Sequence, residues 1–301
     1  MIFDSHAHYD DKQFAGDRDE LLSSMAEYNI RKIVNVGASI ESSKRALALA
    51  DRYDFIYAAV GVHPSDISCL EEAGRNDEKL ECVAKGDGSG IAWLRQAVAH
   101  KKVVAIGEIG LDYYWDKEPK VQERQQWFRR QLQLARELKL PIIIHSRDAA
   151  EDTLEILKED ASKYTGNAPH RIQTADAKNT VAGAENESEK WNPGVIHCFS
   201  YSRELALEYV KMGYYIGVGG VVTFKNAKKL KAAVDAIPLE RIVIETDCPY
   251  LTPEPYRGKR NASIYLPYVI EEIARIKGAT PDEVERVTYE NAIKLYGGEV
   301  K

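Results

Sequence analysis

The chain has 301 residues, 44% of them hydrophobic and 29% charged, and its 41 basic and 47 acidic side chains leave a formal net charge of −6. That composition is enough for a large core, in one barrel domain or two smaller domains, and the acidic balance argues against a broad basic face for duplex DNA. No apolar run approaches the roughly 20 residues that span a bilayer, and Met1-Ile2-Phe3-Asp4 shows neither the basic nor the apolar region of a signal peptide.

Eight short, mostly β-branched runs predict strands, in order Ile2 to Asp4, Lys32 to Val36, Ile56 to Gly61, Val103 to Ile106, Pro141 to His145, Val195 to His197, Tyr214 to Val218 and Ile242 to Glu245. They are nearly continuous in apolar character, which marks strands buried on both faces, as in parallel sheets. Amphipathic segments lie between them: Arg18 to Tyr28, Glu41 to Arg52, Ile91 to His100, Lys120 to Leu140, Ala149 to Lys158, Arg203 to Met212 and Ala227 to Ala236. Asp148 with Glu151 resembles a capping box. Thr280-Pro281-Asp282-Glu283 carries an N-cap and a proline at the first helical position, and opens a last helix running to about Tyr296. Strand and helix alternating through eight strands is the pattern of a (β/α)₈ TIM barrel of the α/β class. Residues 1–301 therefore read as one barrel domain, with surface insertions at 68–90 and 160–194 where the rhythm breaks.

Five of the strands end in residues that ligate metals. His6 and His8 follow the first, Glu108 the fourth, His145 the fifth, His197 the sixth and Asp247 the eighth. Ligands so far apart in the chain converge only if the strands curl around one axis, where barrel active sites sit at the C-terminal rim. Imidazoles with carboxylates suit divalent ions such as Zn²⁺, Mn²⁺ or Mg²⁺. Glu108 has two oxygens and is the candidate bridge between two cations. Asp247 is placed to ligate one ion and to take a proton from attacking water. Asp112 reads equally as a group orienting a ligand histidine or as a helix cap. His63 reads as a substrate-phosphate contact or as a core residue, while His100 and His170 read as surface residues. Glu245 reads as a structural partner inside the barrel.

Past Asp247, the run Arg257-Gly258-Lys259-Arg260-Asn261 places cations on the loop leaving the last strand, so Arg257 and Lys259 are candidate phosphate contacts. Tyr113-Tyr114-Trp115 suits base stacking or packing beneath a loop. The four cysteines, Cys69, Cys82, Cys198 and Cys248, form no C-x-x-C pair and read as free thiols in a reducing cytoplasm. Strand alternation would turn Cys198 and Cys248 away from the ligands.

Several blocks together resemble the TatD family of metal-dependent deoxyribonucleases. They are His6-Ala7-His8, Gly61-Val62-His63-Pro64, Gly107-Glu108-Ile109-Gly110-Leu111-Asp112-Tyr113, Pro141 to Arg147, His197-Cys198-Phe199-Ser200, Glu245 to Leu251, Pro253 and Arg257 to Asn261. The blocks span nearly the whole chain in family order. The resemblance implies a barrel of the metal-dependent hydrolase superfamily with two divalent ions. One would be held by His6, His8, Glu108 and Asp247, and the other by Glu108, His145 and His197. It implies Mg²⁺ or Mn²⁺ in function, with Zn²⁺ also accommodated, and cleavage of DNA, often of single strands from the 3′ end. Three features depart from the family pattern: the longer 160–194 link, the expanded 68–90 region, and Ala262-Ser263 where many relatives carry an acidic residue and proline.

The expected activity is thus a metal-dependent deoxyribonuclease, a 3′–5′ exonuclease on single-stranded DNA, working as a monomer in the cytoplasm and away from membranes. The rival expectation is a hydrolase of a non-nucleic-acid ester or amide. The carboxylate Glu108 stands where many amidohydrolases carry a modified lysine, which favours the nuclease.

Overall fold

The computed structural model describes residues 1–67, 89–114, 121–163 and 193–297. Eight parallel strands form one sheet in chain order: β1 (Ile2–Ala7), β2 (Ile30–Val36), β3 (Ile56–Val60), β4 (Val103–Asp112), β5 (Ile142–Arg147), β6 (Gly194–Ile196), β7 (Tyr215–Val218) and β8 (Ile242–Ile244). Beyond β8 the sheet meets its own beginning. Ala7 bridges Cys248 in parallel, His8 N–H donates to the Cys248 carbonyl at 2.9 Å, and Asp247 N–H donates to the His6 carbonyl at 2.9 Å. The fold is the (β/α)₈ TIM barrel.

Helices pack around this sheet: α1 (Arg18–Ser23), α2 (Ile40–Arg52), α3 (Ser89–Ala97), α4 (Val121–Leu138), α5 (Ala150–Lys163), α6 (Arg203–Lys211), α7 (Lys228–Ala236), α8 (Leu266–Lys277) and α9 (Pro281–Leu295). The barrel interior is a cluster drawn from the strands, including Phe3, Val34, Tyr57, Ile143, Val195 and Val243. Ala292, Leu295 and Tyr296 of the α9 segment belong to the same cluster, so this segment closes one end of the barrel. The Tyr296 hydroxyl donates to the Ser5 carbonyl at 2.8 Å and fixes that closure to β1. The apolar faces of the outer helices and the outward faces of the strands make the second, larger cluster.

The departures from the sequence pattern have local causes. The segment expected as one helix, Arg18 to Tyr28, is α1 followed by a 3₁₀ turn over Met25–Tyr28, ended by Asn29 at φ 61°. β4 runs on to Asp112, past its expected end at Ile106, because a register shift between Ile106 and Ile109 lets pairing with β5 resume. α5 opens at Ala150, and Asp148 takes φ 52° outside the capping position. The helix α8 was not expected between β8 and α9. Of the two expected insertions, 68–88 and 164–192 lie outside the described residues. Ser89 and Gly90 belong to α3, and Asp160 to Lys163 complete α5. Among the described residues, no helix is long and apolar enough to cross a membrane.

Candidate metal centre

The strand ends meet in a cavity of about 1020 Å³ lined by His8, His63, Glu108, His145, His197 and Asp247 among others. Glu108 lies at its centre and is buried. Its two oxygens face different histidines. Oε1 lies 2.9 Å from His145 Nδ1, 3.0 Å from His197 Nε2 and 3.8 Å from His63 Nε2. Oε2 lies 3.6 Å from His6 Nε2 and 3.7 Å from His8 Nε2. Asp247 Oδ1 closes the second group, 3.4 Å from His8 Nε2 and 3.7 Å from His6 Nε2. Among the described residues, three overlapping sets of ligand atoms are compact enough to hold a cation: His6, His8 and Glu108; His6, His197 and Asp247; and His63, Glu108 and His145.

The donor chemistry fits divalent metal. Two of the histidines have their outward ring nitrogen hydrogen-bonded to a partner, which leaves the other nitrogen aimed at the carboxylates. His8 Nδ1 bonds the Val36 carbonyl at 2.8 Å, and His145 Nε2 bonds Asp112 Oδ2 at 3.2 Å. His197 Nδ1 lies 3.4 Å from Glu245 Oε1, an ion-pair distance without a hydrogen bond, and the same oxygen accepts the Cys198 N–H at 2.5 Å. His6 Nδ1 has no hydrogen-bond partner among the described residues, and its ring instead stacks on His197 at 3.9 Å. Asp112 thus orients a histidine, and its other oxygen also accepts the Tyr114 N–H at 2.8 Å. Glu245 is fully buried, and Gly217 makes its place: a Cβ there would sit 2.3 Å from Glu245 Oε2.

His63 differs from the others. Its Nδ1 accepts the Ser65 backbone N–H at 3.1 Å, so in the neutral ring the proton sits on Nε2. That nitrogen is therefore a donor. Burial, and then His145 beside it, push its pKa down to about 3, so the ring is neutral.

Electrostatics binds the cluster together. Burial pushes the Glu108 carboxyl up, but the surrounding His197, His145 and His6 outweigh it and hold the group well below the carboxylate range. Burial likewise works against the charge of Asp247, which the His8 hydrogen bond, with His197 and His6, keeps low. Burial lowers His8, yet its bond to Asp247 and the charges of Asp247 and Glu108 carry it up to about 9. Below the ligands, Asp4 locks β1 to the end of β8. It accepts from Thr246 Oγ1 at 2.7 Å, Thr246 N–H at 3.0 Å and Ser263 Oγ at 2.6 Å.

The basic groups are arranged differently from the sequence expectation. Arg257 and Lys259 do not line the cavity. The Arg257 guanidinium lies 4.2 Å over the Phe224 ring and the Lys259 ammonium 5.1 Å over Tyr256, contacts that hold both on the outer loop. Arg260 pairs with Asp17. Among the described residues, the cations that do line the cavity are Lys12, Arg45 and Arg147. Arg147 is two residues beyond His145 on β5, so a period of two carries the signal that sequence reading passed over. Lys12 and Arg45 offer no local signal. Arg45 reaches the cavity through its 3.1 Å bond to Asp10, which also holds Asn35 and Ser42.

Cys198, expected to point away, lines the cavity. It lies past the end of β6 with φ 46°, so strand alternation no longer applies to it. Cys248 is buried, and both are free thiols. Cys69, Cys82, Trp115 and His170 lie outside the described residues. Tyr113 packs against the core with its hydroxyl on Asp152, whereas Tyr114 is exposed beneath the Arg147 guanidinium at 3.7 Å. His100 pairs with Asp51 away from the cavity.

A family model described as TatD related DNase matches residues 3–297. The chain belongs to the TatD family. Among its TatD-family relatives is the uncharacterized metal-dependent hydrolase YabD of Bacillus subtilis, 42% identical over 98% of this chain and 99% of the relative. The 3′-5′ ssDNA/RNA exonuclease TatD of Cronobacter sakazakii is 30% identical over 98% of this chain and 97% of its own length. Among solved structures, YjjV of Escherichia coli K12, a TatD homolog, superposes with a TM-score of 0.79 at 28% identity, covering 98% of this chain and 97% of that one. With this membership and this donor set, the chain is a metal-dependent hydrolase.

Proposed function

We propose that this TatD-family hydrolase cleaves phosphodiester bonds of single-stranded DNA, releasing nucleotides from the 3′ end. The observation that carries the reading is Glu108, whose two oxygens face two separate histidine groups on one cavity floor. In this reading His6, His8 and Asp247 would hold one divalent ion and His145 and His197 a second, with Glu108 offering an oxygen to each group. Such a pair supplies positive charge for the phosphoryl oxygens and acidifies water at neutral pH.

The chain's own residues supply the rest. Asp247 is ionised and partly open to the cavity, so it accepts the proton of the attacking water. His63 carries its proton on Nε2 and donates it in a hydrogen bond to a non-bridging phosphoryl oxygen. Arg147 and Lys12 place positive charge along the cavity wall, where a phosphate backbone would run. Arg257 and Lys259 serve only a strand long enough to leave the cavity. The name of the Cronobacter relative supports the polarity and the single-stranded substrate. Monomeric action is part of the same proposal.

The test is a cleavage assay on metal-stripped protein with 5′-labelled single-stranded DNA, adding back Mg²⁺, Mn²⁺ or Zn²⁺ separately. A ladder shortening from the 3′ end only when metal is present is expected. Intact DNA under every metal, with occupancy verified, would overturn the proposal and direct the search to small ester and amide substrates.

A further inference from the structure

We infer that Tyr250, with Leu251 beside it, is the surface on which the nucleobase next to the scissile phosphate stacks, and so is a specificity-determining residue for single-stranded substrate. The inference rests on the phosphodiesterase reading above. Large apolar side chains left open to solvent are few among the described residues, and two of them are adjacent here: Tyr250 is 53% exposed and Leu251 37%. Both line the cavity that holds Glu108 and Asp247. Tyr250 is three residues from Asp247, and its N–H bonds the Asp247 carbonyl at 3.0 Å. Tyr250 thus shares a turn and the cavity wall with the residue assigned to take the proton of the attacking water.

The backbone beneath these side chains is held on several sides. Asn261 Nδ2 donates to the Tyr250 carbonyl at 2.7 Å and to the Thr246 carbonyl at 2.8 Å. Asn261 N–H bonds the Pro249 carbonyl at 3.0 Å. Leu251 takes φ 57°, a left-handed conformation uncommon for a residue with a side chain. Gly220 permits the fit, since a Cβ there would lie 2.1 Å from the Leu251 carbonyl oxygen. The loop is thus a fixed seat that turns two apolar side chains outward, where packing alone would turn them in.

The ligand chemistry follows from the neighbours. The Tyr250 hydroxyl reaches Asp11 Oδ2 at 3.5 Å, which tethers one edge of the ring and leaves its face open. A flat, weakly polar group one nucleotide unit from a phosphate matches that face, and every base has one. Paired bases in a duplex are already stacked, so a lone ring selects for bases that are free. This gives an acidic protein a means of preferring single strands without a basic face.

The test uses the full chain in Mg²⁺ and a fluorescent single-stranded oligonucleotide with cleavage-resistant phosphorothioate linkages, with affinity read by anisotropy. A second oligonucleotide lacks only the base of its 3′-terminal nucleotide. Wild-type protein should bind the intact oligonucleotide roughly fivefold or more tightly than the abasic one, the low end of base–aromatic stacking. Tyr250→Ala should lose that preference by weakening on the intact oligonucleotide alone, and Tyr250→Phe should keep it. An undiminished preference in Tyr250→Ala would overturn the inference. Tyr250-dependent preference without cleavage of ordinary DNA would keep the stacking surface and overturn the phosphodiesterase reading. Absence of binding by the wild type would overturn both.

Discussion

Asp112 and Glu108 hold His145 from opposite sides, one on each ring nitrogen. The carboxylate on Nε2 selects the tautomer whose Nδ1 lone pair faces the cavity. Asp112→Asn should therefore weaken metal binding by about 10- to 100-fold, the range for lost outer partners, read by chelator competition. Unchanged affinity would mean that His145 needs no such orientation. Asp247→Asn should cut kcat by about 100-fold or more at saturating metal, since a positioned base contributes that much. A near-normal rate would remove Asp247 as the base. The ligand candidates were legible because each ends an apolar run, where a barrel strand delivers its side chain to the rim. The roles of Asp112 and His63 were not, because each depends on which atom of a distant or looped neighbour its ring or carboxylate meets. Arg257 and Lys259 illustrate the same limit. Their charges read as a rim patch, but the Phe224 and Tyr256 rings that draw them away are tertiary contacts.

At the level of elements, α8 carries the largest miss and the clearest retrospective signal. Leu266, Val269, Ile270, Ile273 and Ala274 recur at the helical period and are all buried. Pro267 lies in the first turn, and Gly278 ends the helix at φ 64°. Ile273→Ala should cost roughly 2–5 kcal/mol as a core truncation, seen as a lower urea midpoint with an unchanged slope. A change within experimental scatter would show that α8 is not part of the cooperative core. The polar side of the same helix is tied to α7. Glu272 receives Arg275 at 2.7 Å and Lys231 at 2.7 Å, and the pairing, Arg275 foremost, holds its carboxyl down at about 2. A carboxyl depressed by folding stabilises above its unfolded pKa of about 4.3, and that contribution fades as pH falls toward 2. Glu272→Gln should thus lower stability at neutral pH by on the order of 1 kcal/mol or less, given solvent screening, and the gap to wild type should narrow below about pH 4 and close as pH reaches about 2. Denaturation series across pH would show it, and a gap independent of pH would point to packing instead.

For the whole molecule, eight buried strands alternating with amphipathic helices made the barrel readable, because that repeat is the (β/α)₈ pattern, whose strand ends meet at one rim. Its closure, from Ala7 to Cys248, is not written in any local pattern. Yet that closure sets His6 and His8 beside Asp247, so the site exists only when the first and last strands meet. The α9 plug and the Asp4 bonds to Thr246 and Ser263 maintain the junction from the other end of the barrel and from behind the ligands. The net charge of −6 offers DNA little attraction at a distance; divalent ions in the cavity would reverse the sign where the phosphate must sit. The most direct test is therefore the number of ions held per chain, measured by elemental analysis after equilibrium dialysis of stripped protein against Mn²⁺, wild type beside Glu108→Gln. Two ions per wild-type chain, with loss of binding in Glu108→Gln, is the predicted result. No bound ion in folded wild-type protein, or equal occupancy in the variant, would contradict a metal centre built around Glu108.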